Sequence, residues 1–149
     1  MRPVNKIIIH HTATKREAQY DAEWCNRLHK SFGWKMIGYH FYIEHDGKLS
    51  AGRPLGMTGA HAKGNNYDSI GVAFVGGKDS RNKNACTITE AQWLTLQKVC
   101  NAFRVLYGDN IPVHGHRMYK NTFCPGFDAE KIDWDGTWED AEKVIYPKG

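Results

Sequence analysis

The chain opens on a short run of apolar, branched residues and then switches between two periodicities. Ile7, Ile8 and Ile9 in KIIIHHTAT predict a buried strand, because β-branched side chains suit a pleated surface and the run is too short for a helix. Between Lys15 and Phe32, Tyr20, Trp24, Leu28 and Phe32 recur at intervals of four, which predicts a helix with one apolar stripe, ended by Gly33. Ile37 to Arg53 reads as two strands around a two-residue turn, Asp46-Gly47 supplying the positive φ angles. Ser69 to Gly77 carries no charge and predicts another buried strand. Thr89 and Gln92 form a capping box for a second helix whose inner face is Trp93, Leu96, Cys100, Phe103 and Tyr107. Ile111 to His114 reads as a short strand, 116–127 as a long loop, and TWEDAEKVI from Thr137 as a terminal helix. Helices and strands interleave around a hairpin, so the expected class is mixed α/β (α+β), a central mixed β-sheet flanked by helices.

Composition changes this picture little. At 149 residues the chain is most simply one domain, 1–149, able to remove roughly 70% of its unfolded surface from water. The cysteines, Cys25, Cys86, Cys100 and Cys124, form no CxxC pair, and no apolar leader precedes the first strand; both favour a reducing cytoplasm. No apolar run approaches the roughly 18 residues of a membrane span. The net charge of +4 is compatible with an anionic partner but too mild to choose one. No block of like charge suggests stable nucleic-acid binding, and KDSRNKN from Lys78 reads as a solvated loop.

Candidate chemistry lies in the histidines and Cys124. His10 ends one strand, while His116 and Cys124 flank the loop after another, so the three can converge at one sheet edge. Two imidazoles and a thiolate suit zinc, and three protein ligands leave a fourth position open, as in catalytic sites. The His-x7-Cys spacing has little specificity, so surface and core roles stay open on spacing alone. A zinc deaminase needs His-x-Glu and Pro-Cys-x-x-Cys, which are absent. A blue-copper reading with Met118 has no further support, and HExxH, P-loop and GxGxxG motifs are missing.

Four segments carry a more specific message: IIIHHTAT, GWKMIGYHFYIEHDGKLSAGR, GAHAKGNNYDSIGVAFVGG and GHRMYKNTFCPGFD. Together, in this order over about residues 6 to 130, they resemble the type 2 N-acetylmuramoyl-L-alanine amidases, especially short phage endolysins, and the related peptidoglycan recognition proteins. The resemblance implies one zinc ion held by His10, His116 and Cys124, with His11 outside the ligand set. Period-two geometry agrees, since His10 shares a strand face with Ile8 and His11 with Ile9.

The resemblance further implies catalytic roles for Tyr39, as donor to a developing oxyanion, and for Thr122, where some phage enzymes carry lysine. It implies substrate contacts at His61, with Asn65 or Asn66 and Tyr67 as further peptide or sugar contacts. His40 is expected to face away or to support the site from behind, and His29, His45 and His114 to be structural or exposed. Arg117 is expected to anchor the loop through carbonyls, and Cys25 and Cys100 to be inert core residues.

The implied substrate is bacterial peptidoglycan, cut between the lactyl group of N-acetylmuramic acid and L-alanine. The expected setting is the host cytoplasm before lysis, with access to the wall after membrane permeabilisation by another factor. A monomer without a separate wall-binding domain is expected. Two other function classes stand beside this one: a non-catalytic wall-binding module, which in this family typically lacks the metal cysteine, and a thiol hydrolase using Cys124 as nucleophile. Phage relatives that also inhibit their phage RNA polymerase leave that second role open, and the short arm before Lys6 is the segment free for it.

Overall fold

A computed structural model describes residues 2–147. Five strands, β1 (Lys6–His11), β2 (Phe41–Ile43), β3 (Leu49–Ala51), β4 (Ser69–Phe74) and β5 (Val113–Gly115), form one sheet in the order β3-β2-β4-β1-β5. β1 runs parallel to β4 and β5, β2 runs parallel to β4, and only the β2–β3 pair is antiparallel. The expected mixed sheet is therefore present, with helices α1 (Ala22–Ser31), α2 (Glu90–Tyr107) and α3 (Trp138–Ile145).

β1 and β4 are buried on both faces, which explains why their sequences are continuous rather than alternating apolar runs. Ile7, Ile9, Ile70, Val72 and Phe74 face a large core with Trp93, Leu96, Cys100 and Phe103 of α2 and Ala141 and Ile145 of α3. Tyr42, Ala73 and Val75 face a smaller cluster with Cys25 of α1 and Ile37. His10 sits in register with Ala73, on the side of the smaller cluster; His11 looks towards the large core, its ring 6.2 Å from that of Phe74.

Two elements depart from expectation. Helix α1 begins at Ala22, not Lys15, because the Asp21 carboxylate accepts the Trp24 N–H at 2.8 Å and caps it there. Its buried residues are Cys25 and His29, whereas Leu28 is 37% and Phe32 58% exposed. The helix is rotated by one residue from the apolar stripe because His29 Nδ1 accepts the Gly38 N–H at 2.7 Å, a buried polar pairing that the apolar pattern does not register.

The hairpin turn is also longer than expected. Gly47 N–H bonds to the Glu44 carbonyl and Glu44 N–H to the Lys48 carbonyl, and Gly47 alone takes a positive φ, +93°. This is a turn closed by a left-handed glycine, which needs one such residue rather than two. Gly47 is required twice over, since a Cβ there would lie 2.8 Å from the Ala91 carbonyl oxygen. The capping box at Thr89 and Gln92 is formed in both halves. The buried Gln92 amide also donates to the Val75 carbonyl at 2.8 Å and the Glu44 carbonyl at 3.2 Å, tying the start of α2 to the sheet.

Candidate metal centre and cleft

β1 delivers His10 to the end of the sheet beside β5, and the chain leaving β5 turns through a 3-10 turn, His116–Met118, so that His116 lies next to it. The loop returns to place Cys124, whose bond to Pro125 is cis. One ligand atom each from His10, His116 and Cys124 lies within 4.8 Å of the others. The rings of His10 and His116 are 4.4 Å apart. The Cys124 sulfur accepts the His11 backbone N–H at 3.2 Å, so β1 fixes both a histidine and the thiol opposite it. Arg117 secures the loop as expected, donating to the Phe123 carbonyl at 2.6 Å, while its N–H bonds the Cys124 carbonyl.

The two imidazoles are in the ligating state, whereas the thiol must give up its proton to a bound cation. Burial, reinforced by the neighbouring imidazoles, holds His10 well below the usual histidine range. Burial and then Lys120 lower His116, so both rings are neutral ligands near pH 7. Burial pushes the Cys124 thiol up to about 12. That is the reverse of the low pKa a thiolate nucleophile requires, and it counts against a thiol hydrolase. A bound divalent cation would offset the burial cost and take the thiolate as ligand. The donor set, its spacing and the neutral imidazoles thus fit a zinc ion with one position left open.

His10 is held from behind. Its Nε2 lies 2.8 Å from His61 Nδ1, which leaves Nδ1 for a metal, and His61 Nε2 faces the Ser69 hydroxyl at 3.2 Å. The Ser69 hydroxyl donates to the Asn65 carbonyl at 2.6 Å. Both His61 nitrogens are thus engaged within the protein, the pattern of a residue that orients a ligand. Gly59 and Gly71 leave room for this ring: a Cβ would approach it to 2.6 Å and 2.5 Å. His40 stands behind His61, its ring 5.9 Å away and fully buried. His40 Nδ1 accepts the Gly71 N–H, so the proton lies on Nε2 and is donated to the Met57 carbonyl at 2.8 Å.

A cleft of about 710 Å³ opens beside the cluster, lined by His29, Trp34, Tyr39, Ala60, His61, Ala62, Lys63, Asn66, His116, Tyr119 and Lys120. The Tyr39 ring lies 5.2 Å from His10, and its hydroxyl has no side-chain or backbone partner among the described residues. Burial pushes that phenol well above its ordinary pKa, so it is a donor at any working pH. Thr122 accepts the Cys124 N–H on its hydroxyl at 3.3 Å and is not among the cleft-lining residues.

Asn66 rather than Asn65 lines the cleft, and its side-chain oxygen accepts the His61 and Ala62 N–H groups. Tyr67 is 65% exposed and outside the lining. Trp34, Lys63, Lys120 and His29 are cleft residues that the sequence did not single out for substrate. Only Trp34 carried a signal, as an expensive aromatic standing beside a glycine.

The fold is a mixed sheet with a His-His-Cys cluster that could hold a metal ion at the end of β1 and a cleft beside it. Residues 1–127 match the family model described as N-acetylmuramoyl-L-alanine amidase, and the chain belongs to that family. It is similar to the endolysin of Escherichia phage T7, 35% identical over 143 residues that span 96% of this chain and 91% of the relative. It is also similar to peptidoglycan-recognition protein SC2 of Drosophila melanogaster, 37% identical over 128 residues, 80% of this chain and 66% of the relative. Among solved structures, the N-acetylmuramoyl-L-alanine amidase LysC from Clostridium intestinale superposes with a TM-score of 0.72 at 28% identity, covering 99% of this chain and 88% of its own.

Proposed function

We propose that residues 1–149 are a single zinc-dependent amidase domain of endolysin type. Its substrate is peptidoglycan, and the bond it hydrolyses joins the lactyl group of N-acetylmuramic acid to L-alanine. The observation that carries this reading is the convergence of His10, His116 and Cys124 within 4.8 Å at the wall of a cleft, in a chain of the amidase family. No helix among the described residues is long and apolar enough to cross a membrane, which is compatible with residence in the host cytoplasm until another factor opens the way to the wall.

Zinc held by His10, His116 and Cys124 would supply Lewis acidity towards the scissile carbonyl and a water acidic enough to attack near neutral pH. The residues of the chain divide the remaining work. His61 fixes the His10 ring through the 2.8 Å contact, so that Nδ1 faces the site. Tyr39, neutral and without another partner, donates its hydroxyl proton to the carbonyl oxygen as negative charge develops there. His29 fixes the backbone before Tyr39 through Gly38. Thr122 acts through the Cys124 backbone, holding the loop that presents the thiol. Lys63 and Lys120 make the cleft cationic, suiting the carboxylates of a stem peptide. Inhibition of a phage RNA polymerase has no observation behind it and is not part of this proposal.

The test is release of stem peptides from purified peptidoglycan, read by mass spectrometry with native, chelator-treated and zinc-restored protein. Peptides beginning at free L-alanine, lost with chelator and regained with zinc, are expected. Wall fragments bound by the zinc-loaded protein without cleavage would instead make it a recognition module.

A further inference from the structure

The arm before β1 is not free. The Arg2 guanidinium donates from Nε to the Leu55 carbonyl at 2.8 Å, and from Nη1 to the carbonyls of Ser69 at 2.8 Å, Tyr67 at 3.1 Å and Asn66 at 3.5 Å. Its Nη2 lies 3.0 Å from His40 Nε2. No carboxylate faces it within salt-bridge distance among the described residues: this cation is satisfied by main-chain oxygens.

Those oxygens are not a random set. Leu55 stands at one foot of the loop that joins β3 to β4, and Asn66, Tyr67 and Ser69 at the other. The loop between them carries Ala60, His61, Ala62, Lys63 and Asn66 of the cleft wall. A planar guanidinium with its donors in a fixed fork can hold two chain segments at a set separation, which a single ammonium cannot. Lys6 adds a second tie at the same foot, its ammonium 2.7 Å from the Asp68 carboxylate.

We infer that Arg2 is a positioning residue for the metal site: it clasps the two feet of loop 55–69 and thereby holds His61 against His10. The route is short. Arg2 grips the Ser69 carbonyl, the Ser69 hydroxyl faces His61 Nε2, and His61 Nδ1 meets His10 Nε2, while His40 backs His61 from the other side. This rests on the reading of His10, His116 and Cys124 as zinc ligands.

The experiment measures two quantities on the full chain carrying Arg2→Met, Arg2→Lys or, as a distant destabilising control, Arg104→Ala. One is amide hydrogen exchange of loop 55–69 in metal-free protein; the other is zinc affinity by competition with a chelator. Arg2→Met is expected to speed exchange in the loop but not in α2, and to weaken zinc about 10-fold, the low end for loss of an outer partner of a metal ligand. Arg2→Lys keeps the charge without the fork and should fall between; it also carries the test if the methionine variant does not fold. Arg104→Ala should leave zinc affinity unchanged.

Wild-type zinc affinity in Arg2→Met would overturn the inference, whether or not loop exchange rises, since faster exchange alone would make Arg2 a structural clasp only. A wild-type protein that bound no zinc would overturn the metal reading itself, and the role of Arg2 with it, before any variant was compared.

Discussion

Replacing Tyr39 by phenylalanine removes one oxygen and leaves the ring contacts with His10 and His29 in place. If the hydroxyl stabilises the developing oxyanion, Tyr39→Phe should lower kcat by about 100-fold, the usual loss for one such donor, with zinc affinity unchanged. An undiminished kcat in a turnover assay would reduce Tyr39 to a packing residue. Zinc binding itself has a proton signature. Because His10 and His116 are already neutral while the Cys124 thiol is protonated near pH 7, about one proton should be released per zinc bound. Calorimetry in buffers of differing ionisation enthalpy reads this directly at about pH 6, where a zinc-bound water of pKa about 7 stays largely protonated, and release of two or more there would mean that the imidazoles are protonated without metal.

At the level of elements, β4 is where sheet packing and site geometry conflict most sharply. Gly71 pairs with Ile8 of β1, and the space a side chain would fill there is taken by the His61 ring. Gly71→Ala would put a Cβ 2.5 Å from two atoms of that ring. The expected cost is about 1–3 kcal/mol from overpacking, together with weaker zinc binding as His61 is pushed from His10. Gly56→Ala, which meets nothing within 4 Å, is the control. Equal zinc affinity in Gly71→Ala and wild type, by chelator competition, would show that His61 can move without disturbing the metal site.

For the whole molecule, the buried histidines set a pH dependence of stability. Burial first, with neighbouring cations or imidazoles adding to it, holds His11 and His40 at about 4 and His61 at about 3, against an ordinary value of 6.5. Below pH 6.5 the unfolded chain therefore takes up protons that the folded chain refuses. Stability is complete above that value and declines as pH falls, until the folded rings themselves protonate near pH 4 and then 3. Urea midpoints of metal-free protein should drop steadily between pH 7 and 4, and a flat profile would contradict the burial of these rings as neutral species.

Fold class, the approximate strand positions and the capped helix α2 were legible in the sequence, since each rests on local chemistry: branched runs, alternation, a capping box. The grouping of His10, His116 and Cys124 was legible only through the resemblance of four motifs in order, because their spacing alone left core and surface roles open. The alternation that turned His10 away from His11 needed only the two-residue period of a strand. The rotation of α1 onto Cys25 and His29 was hidden because it depends on Gly38, nine residues beyond His29 along the chain. The engagement of both His61 nitrogens required Ser69 and His10 to meet across the sheet. The docking of Arg2 on Leu55 and Ser69 is of the same kind. Such pairings join groups far apart in the chain and leave no periodic trace, so only the tertiary structure could decide them.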